Sequence, residues 1–352
     1  MDGWTMTLVA GLSVGGLPAF VGDLLVSWRI PSAVDLPTQH DEGVYPGIGE
    51  DHAAGLAQKL LIVRPYLMLA WAGERREAER LIRDLDGALP LDACNLCNPT
   101  VILEILNTCG PNTELVALLI AAEAIYPIGV RTRGFELGNK RIYLLGSGAS
   151  DFFEYLQTHP EILPSQERAD GLVARAIMLR FAARAMMLQL KIGTGLRDSW
   201  GGGFEVAYPD RSGFRKVDNL MFRAWMVDEK GSYHNSGRSF FLRYYGQDLH
   251  LSWFNPDEKT YVVRSPIGEE YEIPEYEEVH PEWTLDVFVM KKNGSFVEFA
   301  RFQPPHRPPS DRVQLRNGSL VGWVLDQRHV DLCVNKSLQA TDKGAHFEMF
   351  HY

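Results

Sequence analysis

Cysteine is scarce: four in 352 residues, at Cys94, Cys97, Cys109 and Cys333. So few thiols read as the reduced cysteines of a cytosolic protein. "CNLC" at Cys94–Cys97 has the spacing of half a zinc site, but no second CxxC or HxxxH follows to complete the four ligands a structural zinc needs. A basic excess is also lacking. The chain carries 35 basic against 45 acidic residues, a net charge of −10. That argues against a nucleic-acid partner, which requires a basic face. No run of like charge is long enough to mark a disordered tail.

An unbroken membrane-length apolar run is missing too. The nearest candidate is "TMTLVAGLSVGGLPAFVGDLL", Thr5 to Leu25. It is interrupted by Gly11, Gly15, Gly16, Pro18, Gly22 and Asp23, and a Gly or Pro inside a helix costs about 1 or 3 kcal/mol. A secretory signal opens on a basic segment, whereas "MDGW" is acidic. A hairpin fits better, with one strand over Thr7 to Val14, a Gly15-Gly16 turn and a return strand over Leu17 to Gly22.

What is present is an ordinary globular composition, 45% hydrophobic and 23% charged. The length allows one large domain, or one domain with a smaller appendage. Trp28 to Gly55 reads as a long loop, and "KLLIVRPYLMLAWAG" (Lys59–Gly73) as two strands broken at Arg64-Pro65. In the next segment Ala78, Leu81, Ile82 and Leu85 share one helical face. A short helix at "VILEILNTCG" precedes one long strand, "ELVALLIAAEAIYPIG" (Glu114–Gly129). A hairpin ends at the Gly-Ser-Gly of Gly146–Gly148. One helix starts near Ala149 and a long one covers Glu167 to Ile192, its apolar stripe read as core.

From Gly203 the pattern turns to alternating, aromatic-rich strands, with "QPPHRPPSD" (Gln303–Asp311) as a linker or edge loop. The expected division is 1–225 and a β-rich extension over 226–352. "EEYEIPEYEEVHPEW" (Glu269–Trp283) reads as an exposed acidic loop. No cofactor motif stands out: "GSGASD" lacks GxGxxG spacing, and no Gly-Lys-Ser/Thr follows the Gly201–Gly203 turn.

Several motifs, in order, resemble the proteasome β-subunit group, including the simpler bacterial threonine protease that works with an unfoldase. "TMTLV" from Thr5 resembles the group's mature start. "GD" at Gly22-Asp23 resembles the end of its second strand, and "QKLLIV" puts Lys59 at its lysine. "AG" at Ala72-Gly73 falls fourteen residues after Lys59, Gly146–Gly148 supply Ser147, and "RDSWGGG" (Arg197–Gly203) supplies Asp198. The resemblance spans roughly residues 5–225. It implies an α+β fold, the four-layer αββα sandwich of N-terminal nucleophile hydrolases, here with a β-rich C-terminal extension.

The implied site comprises Thr5, Asp23, Lys59, Gly73, Ser147 and Asp198. Thr5 matches the local start pattern and Thr7 the spacing to Asp23; Thr5 is the preferred nucleophile. Removing Met1–Trp4 would free its amine, whose ordinary pKa is about 8, to act as base toward its own hydroxyl. Lys59 would lower that pKa, Asp23 and Asp198 would orient the groups, and Gly73 N–H would hold the oxyanion. The resemblance implies a threonine endopeptidase or amidohydrolase acting on peptide or amide substrates. It further implies a cytoplasmic homo-oligomer, for which a ring fed by an ATP-dependent unfoldase is one form, with no cofactor, metal, nucleic acid or membrane. Trp71, where the group lines its specificity pocket, implies a small side chain before the scissile bond or a non-peptide amide substrate. A non-catalytic scaffold or assembly subunit is the alternative.

Overall fold

The computed structural model describes residues 7–28, 34–38, 52–91, 99–121, 124–137, 140–159, 171–192, 200–254, 259–303, 311–340 and 349–351. The chain forms two compact units: Met1–Lys216 with Arg264–Gly268, and Val217–Val263 with Glu269–Tyr352.

The first unit opens with β1 (Val9–Val14), β2 (Leu17–Asp23), β3 (Leu25–Trp28), β4 (His52–Leu56), β5 (Leu60–Arg64) and β6 (Leu67–Gly73). Helices α1 (Arg75–Ala88) and α2 (Pro99–Asn107) follow, then β7 (Thr113–Ala121), β8 (Ala124–Val130), β9 (Arg133–Leu137) and β10 (Lys140–Leu145). It closes with α3 (Ala149–Thr158), α4 (Gly171–Ile192), β11 (Phe204–Asp210) and β12 (Gly213–Lys216).

The apolar stretch at the start is a hairpin, since Val14 pairs with Leu17 across Gly15-Gly16. Its strands sit inside a six-stranded sheet of order β12-β11-β2-β1-β10-β9; a second sheet runs β5-β6-β7-β8, and β3 pairs with β4. The stripe Ala78, Leu81, Ile82 and Leu85 is the buried face of α1. It packs with Leu61, Leu69 and Trp71, and with Ile102 and Leu106 of α2. Strand alternation sends Leu60, Met68 and Ala70 to another cluster, with Val9, Phe20 and Leu145. Helix α4 packs on β1, β2 and β11.

The second unit contains β13 (Leu220–Val227), β14 (Tyr233–Tyr245), β15 (Asp248–Phe254), β16 (Thr260–Val263), β17 (Tyr276–Val279), β18 (Trp283–Met290) and β19 (Phe296–Phe302). It ends with β20 (Arg312–Arg316), β21 (Ser319–Val324), α5 (Gln327–Ala340) and β22 (Met349–His351). Seven strands form one sheet, β16-β15-β14-β13-β18-β19-β22, and three form another, β17-β20-β21. Pairing is antiparallel except for β13 with β18 and β19 with β22.

The expected four-layer αββα class is corrected by this content. Among the described residues 49% lie in strands and 24% in five helices, spread over several sheets, so the chain is mostly β. The physical reason lies in segments that local patterning hides. Trp28 to Gly55, read as loop, contributes to the β3–β4 pair, and the apolar run after Glu114 is two strands, β7 and β8. Among its described residues the second unit adds ten strands to one helix. Among the described residues, no helix is long and apolar enough to cross a membrane.

Candidate functional site

Asp23 ends β2 with its side chain fully buried. The hairpin register, Val9 opposite Gly22, puts Leu8 opposite Asp23. The Leu8 N–H donates to Asp23 Oδ1 at 3.0 Å, the Gly201 N–H to Oδ2 at 2.9 Å, and the Asp23 N–H returns to the Leu8 carbonyl at 2.9 Å. Burial raises the Asp23 carboxyl to about 7, against the downward pull of the Lys59 charge and of backbone N–H groups.

Lys59, just before β5, is buried to 1% exposure. Glu205, on β11, fixes its backbone. Glu205 Oε1 accepts the N–H groups of Lys59 and Leu60 at 2.5 and 2.8 Å, and its Oε2 accepts Lys216 Nζ at 2.6 Å. Burial lowers the Lys59 ammonium to about 8; Asp23 and Glu205 oppose this shift and Arg75 adds to it. Trp71 lies across from Lys59 on β6, its backbone N–H 3.0 Å from the Lys59 carbonyl. Lys59 Nζ stands 4.2 Å from the centre of the indole, whose N–H donates to the Gln58 carbonyl at 2.9 Å. Trp71 is itself buried in the cluster under α1.

Thr7 is buried immediately before Leu8. Its carbonyl accepts the Gly148 N–H at 3.1 Å. Gly146 has φ +75°, and a Cβ there would lie 2.2 Å from the Thr7 oxygen, so a glycine is required. Glu114 of β7 holds this turn by accepting the Gly146 N–H at 2.7 Å. Ser147 is exposed between the two glycines, and its carbonyl accepts from Ser150 Oγ. Gly73 ends β6 at φ +103°, where a Cβ would lie 2.0 Å from the Asn112 oxygen.

Asp23 and Lys59 are both buried, and the charge of each acts on the ionisation of the other. The turn bearing Ser147 closes on Thr7, and Gly73 terminates the strand that carries Trp71. Thr5, Trp4, Asp198, Cys94 and Cys97 lie outside the described residues. Glu205 and Glu114 were not anticipated from the sequence. Glu205 is 146 positions from Lys59 and Glu114 is 32 from Gly146, so no local spacing announces either contact. The arrangement holds a carboxyl one residue from Thr7 and a buried ammonium, both drawn toward neutral pH.

No model of a known protein family matches the chain, and no curated protein matches it either.

Proposed function

We propose that the chain is a threonine hydrolase of peptide or other amide bonds, as its resemblance to the proteasome β-subunit group implies. One observation carries the reading: buried Asp23 is hydrogen-bonded to the amide that follows Thr7, and the buried Lys59 charge acts on it. Thr7 is the nucleophile this geometry favours. It lies between Asp23 and the Gly146–Gly148 turn, while Thr5 precedes that frame by two residues.

In this reading, loss of residues 1–6 frees the Thr7 amine. The amine takes the hydroxyl proton as Oγ attacks the amide carbon and passes it to the departing amine. Water then hydrolyses the acyl ester and restores the threonine. The Lys59 charge keeps the Thr7 amine unprotonated. Gly73 N–H is assigned to the oxyanion, a role worth roughly 3–4 kcal/mol. A cytoplasmic homo-oligomeric assembly, with an ATP-dependent unfoldase as partner, belongs to the same proposal.

A second reading, a non-catalytic scaffold, is favoured by one feature. Both Asp23 oxygens already accept backbone N–H groups, so Asp23 joins Leu8 to Gly201 whether or not chemistry follows. Intact mass of the purified chain separates the two, together with hydrolysis of a fluorogenic peptide-amide panel. Loss of residues 1–6, with turnover abolished by Lys59→Ala, supports the hydrolase. A species retaining residues 1–6 and no turnover supports the scaffold. Loss of residues 1–4 alone, with turnover, returns the nucleophile to Thr5.

A further inference from the structure

Lys59 and Trp71 occupy facing positions on adjacent strands. Leu60 pairs with Ala70, and the Trp71 N–H bonds the Lys59 carbonyl, so the two side chains emerge on the same face of the sheet. The indole is held independently of the lysine. Its N–H is committed to the Gln58 carbonyl, and its body is packed among Leu61, Leu69, Leu81 and Ile82. A fixed ring face is thus presented to the ammonium at 4.2 Å in a nearly water-free site. Tryptophan is the best of the aromatic faces for a cation, and the attraction grows as water is excluded.

We propose that Trp71 is a positioning residue that holds Lys59 as an ammonium in the core through its indole face. This inference rests on the hydrolase reading for its purpose, because the lysine charge is what keeps the Thr7 amine a free base. The charged groups acting on Lys59 are Asp23 from β2, Glu205 from β11 and Arg75 from the start of α1; Lys216 of β12 is paired with Glu205. Burial and Arg75 disfavour the ammonium, and Asp23 and Glu205 favour it. Trp71 adds a stabilising face that brings no titratable group into the core.

The decisive experiment reads Lys59 directly. Side-chain NMR of the full chain with isotope-labelled lysine, the resonance assigned with Lys59→Arg, gives its titration. It is run on the native chain, on Trp71→Phe and Trp71→Leu, and on chains carrying mono-, di- and tetrafluorotryptophan at position 71. Fluorination drains the ring face with almost no change of shape, so this series answers even if Trp71→Leu does not fold. The expected result is a graded fall of the Lys59 midpoint, about 0.5 to 1.5 pH units from native to tetrafluorotryptophan. The Phe variant should fall between native and Leu. An unchanged or rising midpoint across the fluorinated series overturns the proposal. The titration needs no turnover, so failure of the hydrolase reading, scored by intact mass, is seen separately.

Discussion

Glu205 holds Lys59 by its backbone: one carboxylate oxygen accepts the N–H groups of Lys59 and Leu60 while the other meets the Lys216 ammonium. The lysine ammonium faces the Trp71 indole and lies in the field of Asp23 and Glu205. Both acidic residues favour the lysine's charge, and Glu205 also fixes where its side chain starts. Removing either one disturbs the pair differently.

Glu205→Ala leaves the two N–H groups and the Lys216 ammonium without their carboxylate in a buried place. Breaking a buried charge pair in this way costs about 3–5 kcal/mol. Glu205→Gln keeps an acceptor for the N–H groups but loses the charge facing Lys216, and should cost about 1–3 kcal/mol. Urea unfolding at pH 7 checks the order. Equal losses for the two variants would remove the backbone-holding role.

The pair itself predicts a dip in the stability profile. Asp23 is raised to about 7 from an ordinary 3.8, so between those values the folded chain holds more protons than the unfolded one, and stability falls as pH rises. Lys59 is lowered to about 8 from 10.5. Above 8 the unfolded chain holds the extra proton, and stability recovers toward 10.5. The slope on each side is at most about 1.4 kcal/mol per pH unit. Urea midpoints from pH 4 to 10.5 should show the minimum between 7 and 8, and the Asp23→Asn/Lys59→Met double variant should flatten it.

Gly146→Ala places a methyl 2.2 Å from the Thr7 oxygen, in a backbone conformation that L-residues avoid. Gly16→Ala is a fair comparison: φ is +82° there, but nothing lies within 4 Å of the new methyl. The turn variant should cost about 1–2 kcal/mol, the price of the left-handed conformation alone. Gly146→Ala should cost distinctly more and abolish any turnover, because the displaced atom belongs to Thr7. Thermal unfolding with the peptide-amide assay tests this. A Gly146→Ala chain as stable and active as Gly16→Ala would separate that turn from the site.

Legibility in the sequence followed the range of the interactions. The first hairpin was readable because Gly15-Gly16 interrupts two apolar strands, and α1 because Ala78, Leu81, Ile82 and Leu85 repeat at helical spacing. Asp23, Lys59 and Gly73 could be picked out by order and spacing, and the first two are buried. The β7–β8 boundary was hidden because apolar residues flank it on both sides. Helix α5 was overlooked amid strands, although Val330, Cys333, Val334 and Ser337 repeat at helical spacing and are buried. The overall class was misjudged because sheet pairing depends on partners far along the chain. Glu205, Glu114 and the Trp71–Lys59 face belong to the same long-range category.

The second unit carries a prediction of its own, built on Asp286 of β18. Arg223 of β13 grips this carboxylate with two bonds, Nε to Oδ1 at 2.7 Å and Nη2 to Oδ2 at 2.8 Å, and the Trp225 indole N–H adds a third at 2.7 Å. Arg223 also reaches Asp311 at 3.2 Å, and Arg301 bonds the same Asp311 oxygen, all four side chains being buried. Burial pushes the Asp286 carboxyl up, but Arg223, His329 and the Trp225 bond bring it below the ordinary carboxylate range. Asp286→Asn should therefore cost about 3–5 kcal/mol at pH 7. His329 of α5 stands 3.8 Å from Asp286, yet burial, with help from Arg301 and Arg223, lowers its imidazole to about 4 from 6.5. Between those values the unfolded chain binds the extra proton, so this histidine's contribution to stability is lost as pH falls from 6.5 toward 4. Asp23 acts in the opposite direction over much of that range, so the effect is read as a difference between chains. The native chain minus His329→Asn, by urea unfolding at pH 7.5, 6.5, 5.5 and 4.5, should lose up to about 1.4 kcal/mol per pH unit below 6.5. A difference that stays flat through that window would mean that His329 is charged inside the network, with Asp286 outweighing burial.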